Sequence, residues 1–475
     1  MRPYDGPLVL HWPMSSLEFT LNGRPVRLDA FASDATVLEY LRGAGLIGTK
    51  EGCGDGDCGA CTVALASAGP HGEPRYQAVN SCLMPLGALA GREIVSVEGL
   101  AEGEALHPVQ RAMVEAGGSQ CGYCTPGFVM SLFAAYYGGE RSDQAIEGNL
   151  CRCTGYLPIR RALQSLGEPA PDDRFLARLR SGHQKAEGES QQVGERFYLP
   201  ERLEEVFALL ERHPEARLIA GGTDLGLELS HKRLEDPVLI GLERVRELHG
   251  LEVSDEAVVI GAGVTLSRLE HELAGVFPAL DEMLRWFAAR QVRNRATVGG
   301  NLGTASPIGD LAPVLLALDA VVALASRQGR REVPIAGFFT GYRQTVRRPD
   351  EVILSVTLPR PKAGALGFAY KVGKRGADDI SIVAAAFTVH LAEGRVAAAR
   401  LAYGGVAATP VRAEAVEAWL ASRPWSEATV LAALPKLREA FAPLDDLRGS
   451  ARYRRELAAN LFHKFYVQTQ EGVLA

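Results

Sequence analysis

Cysteine is the residue type whose spacing points most directly to chemistry in this 475-residue chain. All eight cysteines fall between Cys53 and Cys153, and the rest of the chain contains none. A secreted protein stapled by disulfides is expected to have cysteines in its body as well, whereas clustered cysteines in a cytosolic chain more often bind metal. The pattern therefore predicts thiolate metal sites in the N-terminal third of the chain.

The first four cysteines surround a glycine-rich loop. Between Glu51 and Cys61 the spacing is C-x4-C-x2-C, and Cys82 follows a predicted hairpin. This spacing is typical of plant-type [2Fe–2S] sites. The glycines allow the backbone to wrap a cluster closely and to direct N–H groups at sulfur, which requires positive φ angles. A structural zinc site is the alternative, but zinc sites favour two short cysteine pairs far apart.

The other four cysteines form two close pairs, and each pair precedes a predicted helix. Cys121–Cys124 has the spacing C-x2-C, and Cys151–Cys153 has the spacing C-x-C. Thr125 followed by Pro126 is typical of an N-cap with proline at the first helical position, and Thr154 is predicted to begin the next helix. A helix N-terminus favours negative charge, which suits an anionic cluster. Helix placement alone leaves disulfides and zinc open as alternatives.

The residues around these pairs carry a resemblance to a known family. The stretches from Gln120 to Gly127 (QCGYCTPG) and from Gly148 to Tyr156 (GNLCRCTGY) resemble the second [2Fe–2S] domain of the molybdenum hydroxylases, the xanthine dehydrogenase and aldehyde oxidase family. In that family this domain follows a plant-type [2Fe–2S] domain, which the loop from Glu51 to Cys61 resembles. The resemblance implies two [2Fe–2S] clusters with four cysteines each as metal ligands, namely Cys53, Cys58, Cys61, Cys82, Cys121, Cys124, Cys151 and Cys153.

Two glycine-rich stretches further along the chain are candidate phosphate sites. A predicted strand from Arg217 to Ala220 runs into the sequence GGTD, where bare backbone lets N–H groups reach anionic oxygens. The stretch from Thr297 to Asp310 interleaves glycines with hydroxyl residues and ends in a carboxylate that suits a ribityl or ribose hydroxyl. A Rossmann dinucleotide fingerprint starting at Gly261 is rejected, because Leu266 replaces its third glycine.

Both stretches lie in a region that resembles the FAD domain of the same family, an α/β fold of the vanillyl-alcohol-oxidase type. The resemblance implies that the two stretches hold the FAD diphosphate and its sugar-like chain, and that Phe287 faces the isoalloxazine ring. The implied cofactor-binding residues are Leu218, Ile219, Ala220, Gly221, Gly222, Thr223, Asp224, Leu225, Phe287, Thr297, Gly300, Asn301, Thr304, Ser306, Asp310, Leu354 and Lys371.

The predicted architecture is a multidomain α+β chain. We expect a β-grasp plant-type ferredoxin domain at residues 16–100, a helical [2Fe–2S] domain at 101–166 and a linker at 167–193. An FAD-binding domain is expected at 194–362, and a small α/β domain like the C-terminal domain of the carbon monoxide dehydrogenase flavoprotein at 363–475. Proline at position 435 is predicted to kink or split one of the C-terminal helices.

Composition excludes several other classes of function. The net charge of −6, from 51 basic and 57 acidic residues, argues against nucleic acid and anionic membranes as partners. No apolar run reaches the length of a membrane span, and Pro3, Pro7 and Pro13 interrupt the apolar patch near the N-terminus, which is not typical of a signal peptide. A cytoplasmic location is expected.

The resemblance also predicts a division of labour. No stretch of the sequence resembles the molybdopterin-binding domains of the family, so no catalytic residue for substrate hydroxylation is expected on this chain. Electrons are expected to arrive from molybdopterin on a large partner subunit, pass through both clusters to FAD, and leave on NAD+. A heterotetramer of two small and two large subunits is the expected assembly. The alternatives are the same role in an aldehyde, nicotinate or carbon monoxide enzyme, or a non-redox, zinc-binding scaffold protein.

Overall fold

The computed structural model describes residues 14–69, 72–182, 190–362, 364–376 and 378–472. The apolar patch at residues 8–10 and residues 183–189 of the predicted linker lie outside the described residues. The chain divides into two compact units. The first unit combines the described residues of Met1–Arg246 with Ala289–Ala296, and the second combines Glu247–Ala288 with the described residues of Thr297–Ala475.

Short strands alternate with helices along most of the chain. The strands are β1 (Met14–Ser15), β2 (Leu17–Leu21), β3 (Arg24–Leu28), β4 (Thr62–Ala68), β5 (Pro74–Asn80), β6 (Glu93–Val95), β7 (Gln191–Val193), β8 (Phe197–Leu199), β9 (Arg217–Ile219), β10 (Leu239–Gly241), β11 (Leu251–Val253), β12 (Ala257–Gly261), β13 (Val321–Ser326), β14 (Gly329–Pro334), β15 (Phe339–Gly341), β16 (Gln344–Thr345), β17 (Val352–Pro359), β18 (Ala365–Val372), β19 (Val383–Ala392), β20 (Arg395–Gly404) and β21 (Val411–Arg412).

The α-helices are concentrated after the first cysteine loop and at the C-terminal end. They are α1 (Val37–Gly43), α2 (Pro108–Glu115), α3 (Thr125–Gly138), α4 (Leu157–Ser165), α5 (Arg174–Gly182), α6 (Leu203–Arg212), α7 (Leu225–Ser230), α8 (Leu266–Glu272), α9 (Pro278–Trp286), α10 (Arg290–Arg293), α11 (Val298–Thr304), α12 (Leu311–Ala317), α13 (Glu414–Leu420), α14 (Glu427–Glu439) and α15 (Ala451–Gln470).

The sheet that carries the first cysteine loop has the strand order β3-β2-β6-β4-β5. Apolar residues that alternate on both sides of Asn22 and Gly23 predict a hairpin, and this prediction is confirmed. Strands β2 and β3 pair antiparallel, and the two turn residues have positive φ angles of 54° and 79°. A turn of this kind matches the right-handed twist of the flanking strands. On β2, Leu17, Phe19 and Leu21 are buried, so alternate residues face the core.

The helix after this hairpin is capped by a different residue from the one predicted. The sequence predicts Asp34 as the cap of α1, but Thr36 occupies that position. The Thr36 hydroxyl accepts a hydrogen bond from the Glu39 N–H at 3.2 Å, and the Glu39 carboxylate accepts one from the Thr36 N–H at 2.9 Å. Asp34 instead forms an ion pair with Lys232 at 3.2 Å. The reciprocal pair satisfies two backbone donors, which explains why threonine caps the helix.

The helices α2, α3 and α4 pack around a shared apolar core that includes Phe128 and Phe133. His107 caps α2, and its Nδ1 accepts a hydrogen bond from the Val109 N–H at 3.3 Å. The Nε2 atom therefore carries the proton and donates to the Tyr137 hydroxyl at 3.0 Å. Burial lowers the pKa of His107 to about 4, so the ring is neutral at neutral pH.

A helix inside the predicted linker also belongs to this core. Phe175, on α5, is fully buried, and its ring lies 4.9 Å from the Phe133 ring between centroids. Asp173 begins the helix by accepting hydrogen bonds from the Phe175 N–H at 2.8 Å and the Leu176 N–H at 3.2 Å. The segment after α4 is thus anchored by a cap and an aromatic contact.

The remaining sheet of the first unit has the order β1-β7-β8-β10-β9. Its strands β8, β10 and β9 are parallel neighbours, and α6 crosses between β8 and β9 with Leu203, Val206 and Leu209 buried. The glycine-rich sequence GGTD follows the end of β9 directly. The predicted strand and loop are therefore present, at the carboxyl end of a parallel strand, which is where ligands bind in open α/β sheets.

The second unit contains two larger antiparallel sheets. One has the order β11-β12-β17-β13-β14, and the other has the order β18-β19-β20-β21 and packs against α13, α14 and α15. The predicted split at Pro435 is wrong, because α14 is one helix from Glu427 to Glu439, whereas the alternative of a kink stays a prediction. Pro435 lies in the last third of the helix, where losing one backbone hydrogen bond is compensated by the burial of Leu434 and Leu437. The predicted multidomain α+β class is confirmed.

Within the described ranges, no helix has both the length and the apolar character that crossing a bilayer requires.

We expect Phe175→Ala to destabilise the first unit by about 3–5 kcal/mol, because it removes a fully buried ring. Urea unfolding of the purified chain measures the effect. Val114→Ala, at an exposed site on α2, is the control and should change stability by less than about 0.5 kcal/mol. Equal unfolding midpoints for the two variants would show that α5 is not part of the core.

Candidate redox sites

The first cysteine loop directs backbone N–H groups at two of its sulfur atoms. The Cys53 Sγ accepts from the Asp55 N–H at 3.3 Å and from the Cys58 N–H at 3.4 Å, and the Cys58 Sγ accepts from the Cys53 N–H at 3.4 Å. Gly54 and Gly56 have φ angles of 74° and 85°, which allow the chain to turn tightly between them. Donors aimed at sulfur stabilise thiolate, so this loop fits an anionic iron–sulfur group.

The other two cysteines of this set lie beneath the loop. Cys61 and Cys82 are both buried, and their Sγ atoms are 3.3 Å apart, which is too far for a disulfide bond. Cys61 immediately precedes β4, and Cys82 lies in the turn after β5, so the pairing of these two strands brings the thiols together. All eight cysteines, each of which lies in a described part of the chain, are free thiols.

Hydrogen bonding between neighbouring thiols lowers the pKa of one thiol and raises the pKa of the other. The hydrogen bond with Cys58, helped by loop N–H groups and opposed by burial, lowers the pKa of Cys53 to about 5. The same contact, together with burial, raises the pKa of Cys58. Between the buried thiols, the shared hydrogen bond lowers the pKa of Cys61 and raises that of Cys82. One thiolate in each pair is therefore favoured even before any metal binds.

The second set of cysteines pairs across its two motifs. Cys121 interacts with Cys153, and Cys124 interacts with Cys151, so each motif contributes one thiol to each pair. Cys121 and Cys153 are exposed, whereas Cys124 and Cys151 are half-buried. Burial raises the pKa of Cys124 to about 12. This crossed pairing gathers four thiols at one place, with one edge open to solvent.

The helix starts near these cysteines differ from the predictions. Helix α3 begins at Thr125 with Cys124 as its N-cap, so Pro126 is the second helical residue. Thr154 does not begin a helix: α4 starts at Leu157. The chain first turns through Tyr156, whose φ is 66°, and the Thr154 N–H donates to the Cys151 Sγ at 3.4 Å. Burial raises the pKa of Cys151, but the hydrogen bonds from Thr154 outweigh it, so the pKa is lowered. The donor comes from a turn and not from a helix end.

The predicted flavin segment of the first unit is held by an arginine. Arg295 donates to the Gly221 carbonyl at 3.2 Å and forms a two-pronged ion pair with Glu243. A side chain at position 221 would overlap the Arg295 carbonyl, so the position requires glycine. Gly222 follows with a φ of 77°, and α7 begins at Leu225. Residues 218–225 therefore form a strand end, a tight turn and a helix start.

Glu243 lies between two arginines at the base of this segment. It is largely buried, and Arg92 also pairs with it at 2.7 Å. Burial alone would raise the pKa of Glu243, but the charges of Arg295 and Arg92 outweigh it and lower the pKa to about 2. The carboxylate is therefore ionised in the folded protein at all ordinary pH values.

The remaining predicted flavin residues lie in the second unit. Thr297 caps α11 by accepting from the Gly300 N–H at 3.0 Å, and Asn301 and Thr304 follow on the same helix. Phe287 ends α9 and is buried, and Leu354 is buried within β17. The glycine-rich stretch thus contains a short helix, α11, in addition to the interleaved glycines and hydroxyl residues read from the sequence.

An ion pair joins two of these residues. The Lys371 Nζ lies 3.0 Å from the Asp310 Oδ2, and both side chains are largely buried. The Lys371 Nζ also donates to the Trp286 carbonyl at 3.0 Å, and the Ser381 hydroxyl donates to the Asp310 carboxylate. Sequence reasoning missed Ser381, which directly follows Ile380. Lys371, Asp310 and Ser381 thus place a cation, a carboxylate and a hydroxyl next to one another.

Family models match most of the chain in consecutive blocks. Residues 19–87 match the 2Fe-2S iron-sulfur cluster binding domain, and residues 96–164 match the [2Fe-2S] binding domain. Residues 191–361 match the FAD binding domain in molybdopterin dehydrogenase, and residues 368–469 match the CO dehydrogenase flavoprotein C-terminal domain. Each of these domain types is predicted from the sequence.

Relatives with similar sequences and structures agree with these matches. The solved carbon monoxide dehydrogenase from Hydrogenophaga pseudoflava is 30% identical, with a TM-score of 0.55, over 57% of this chain and 94% of that chain. The chain belongs to the molybdenum hydroxylase family. Within the family, quinoline 2-oxidoreductase from Pseudomonas putida 86 is 29% identical with a TM-score of 0.55, covering 59% of this chain and 98% of that chain.

Family members of greater length match nearly the whole chain. Xanthine dehydrogenase from Emericella nidulans is 34% identical over 95% of this chain and 38% of its own length, and xanthine dehydrogenase/oxidase from Gallus gallus is 34% identical over 95% and 40%. The chain thus spans about two fifths of the curated relatives it matches. In this chain the two [2Fe–2S]-binding matches precede the FAD-binding match.

We expect Glu243→Gln to destabilise the first unit by about 3–5 kcal/mol, because the buried Arg295 and the partly buried Arg92 lose their counter-charge. The pKa of Glu243 lies below its ordinary value of 4.5, so the ion pairs stabilise the fold fully above that value and are lost only as pH falls through about 2. The destabilisation measured by urea unfolding should therefore be equal at about pH 7 and about pH 5.5.

Arg246→Gln is the matched control for this experiment. Arg246 is 72% exposed and pairs with Glu201 at 2.7 Å, so its replacement should cost less than about 1 kcal/mol. A Glu243→Gln effect as small as that of the control would contradict the assigned role of the buried carboxylate.

Proposed function

We propose that this chain is the electron-transfer and flavin subunit of a xanthine dehydrogenase. The complete complex would hydroxylate hypoxanthine and xanthine to urate at a molybdenum centre on a partner subunit, and electrons would pass through two [2Fe–2S] clusters and FAD to NAD+. Similarity to curated xanthine dehydrogenases over 95% of the chain supports this substrate class. NAD+ as acceptor is consistent with a cytoplasmic location.

The observation that carries the proposal is that eight free thiols lie in pairs within the two segments that match [2Fe–2S]-binding domains. We propose Cys53, Cys58, Cys61 and Cys82 as ligands of one [2Fe–2S] cluster, and the crossed pairs formed by Cys121, Cys124, Cys151 and Cys153 as ligands of the other. The chain's own contribution is the set of N–H donors aimed at sulfur, which favour thiolate and a cluster of higher negative charge.

For FAD, we propose the residues that the family resemblance implies, namely residues 218–225, Phe287, Thr297, Gly300, Asn301, Thr304, Ser306, Asp310, Leu354 and Lys371. Bound FAD would exchange two electrons with NAD+ and single electrons with the clusters. The N–H groups around Gly221 and Gly222 would bind phosphate oxygens. Asp310, held by Lys371 and Ser381, would orient a sugar hydroxyl as an acceptor.

The exposed edge of the second cysteine group is the proposed contact with the molybdenum subunit. Cys121 and Cys153 are exposed, and Tyr123 between the first pair is 52% exposed. Gln120, next to Cys121, is also exposed and could donate to a pterin. We propose a heterotetramer of two such subunits and two molybdopterin-binding subunits.

A second candidate is the same role in another molybdenum hydroxylase. The likeness to carbon monoxide dehydrogenase and to quinoline 2-oxidoreductase supports it, because both match at identities close to that of the xanthine dehydrogenases. Substrate choice belongs to the molybdenum site, so assays of the complex separate these candidates. A zinc-binding scaffold has less support, since both cysteine groups lie in matches to [2Fe–2S]-binding domains.

We expect the purified chain to be red-brown, with a flavin band in the blue and with about four Fe and about four labile sulfides. Cys82→Ser and Cys124→Ser should each reduce the iron content to about two per chain, because each removes one ligand of one cluster. Ser119→Ala, which removes a hydroxyl near Cys121 without touching a thiol, should keep about four Fe. A colourless chain containing zinc would refute the redox proposal.

Co-purification tests the partner and the acceptor. The chain, tagged and isolated from its own cells, should bring down a molybdopterin-containing protein, and the complex should reduce NAD+ with xanthine as substrate. NAD+ should support faster turnover than oxygen, because no cysteine lies near the proposed flavin residues in sequence to act as a redox latch. Faster turnover with oxygen would contradict NAD+ as the acceptor, and activity only with aldehydes or carbon monoxide would favour the second candidate.

A further inference from the structure

A short segment from the middle of the FAD-binding match belongs to the unit that contains the cysteines. Residues Ala289–Ala296, called here the insert, are part of the first unit, while the residues on both sides belong to the second. The insert contains α10 and has polar side chains that are almost completely buried, including Gln291 at 1% and Arg293 at 0% exposure. Buried polar side chains need specific partners, so the identity of those partners indicates what the insert does.

Gln291 hydrogen bonds to three residues, and two of them lie within two positions of a cysteine. Its Nε2 lies 3.1 Å from the Ser131 Oγ, 3.1 Å from the Asn149 Oδ1 and 3.4 Å from the Thr62 Oγ1. Thr62 directly follows Cys61, and Asn149 lies two residues before Cys151. Gln291 itself contacts no cysteine in these hydrogen bonds.

Asn149 links the two cysteine groups directly. Its Nδ2 donates to the Gly59 carbonyl, between Cys58 and Cys61, at 2.9 Å. Because a carbonyl can only accept, the amide of Asn149 must present its NH2 there and its Oδ1 to the other side. The Oδ1 then requires donors, and Ser131 and Gln291 supply them at 2.6 Å and 3.1 Å. The next residue, Leu150, donates its N–H to the Cys58 carbonyl at 3.0 Å.

Glycines allow the backbone segments to approach each other closely at this contact. A methyl group on Gly59 would overlap the Gly148 carbonyl, and one on Gly127 would overlap the Gly59 carbonyl. A methyl group on Gly148 would overlap the Gln291 side chain. Since glycine leaves no side chains to interlock, hydrogen bonds must set how the two loops are aligned.

We propose that Gln291 is a positioning residue, which orients the Asn149 amide and thereby fixes the separation between the two cluster sites. This proposal rests on the proposed function, because the separation matters only if both groups of thiols hold redox centres. Electron transfer between two centres falls steeply with distance, so a side chain that fixes the distance controls the rate without touching either centre.

The test compares Gln291→Met with Arg290→Met in the intact, cluster-loaded chain. Methionine keeps the length of glutamine but cannot donate to Asn149. Arg290, the neighbouring residue of the insert, donates to Gln144 at 2.7 Å, away from the contact between the loops, and is the matched control. Electron paramagnetic resonance at low temperature, with both clusters reduced, reports their magnetic coupling, which falls with the inverse cube of their separation.

We expect Gln291→Met to keep the iron content of the unmodified chain and to change the spin–spin splitting. Arg290→Met should leave the splitting unchanged. An unchanged splitting in Gln291→Met would overturn the proposal, as would an identical change in both variants. If Gln291→Met does not fold, Ser131→Ala, which deletes only one hydroxyl of the network, must change the splitting for the proposal to stand. Absence of any [2Fe–2S] signal in the unmodified chain would instead refute the proposed function.

Discussion

The structure depends on one constraint: sulfur atoms that lie in pairs need hydrogen-bond donors close to them. Backbone N–H groups meet this need in the first loop, where the chain turns tightly enough for two of them to reach Cys53. In the second group a turn, not a helix end, supplies the donor to Cys151. Glycine is required throughout, because only a bare backbone lets peptide groups approach sulfur and each other this closely.

The sequence was sufficient to predict what depends on local pattern. The cysteine spacing, the hairpin turn at Asn22 and the strand before Gly221 all follow from short-range rules, and each is present in the structure. The family resemblance identified the kinds of domain, and their order is confirmed. These features were accessible because each is encoded by residues only a few positions apart.

What the sequence did not reveal depends on residues far apart along the chain. The crossed pairing of Cys121 with Cys153 could not be read from either motif alone. The ion pair between Lys371 and Asp310 joins residues predicted separately to contact the same ligand. The cap of α1 was misplaced because aspartate and threonine are both good caps, and Glu39 decides between them. The assigned metal and flavin ligands remain proposals.

The insert has a consequence for dissecting the molecule into parts. A fragment ending at Arg246 would contain all eight cysteines but would lack Asn294, which donates to the Ala78 carbonyl on β5, and Arg293, which pairs with Glu147 at 2.6 Å. A cut at Arg246 would therefore expose groups that are buried in the intact unit. The compact unit that holds the cysteines is discontinuous, and a faithful miniature of it would need residues 289–296 grafted back through a designed connection.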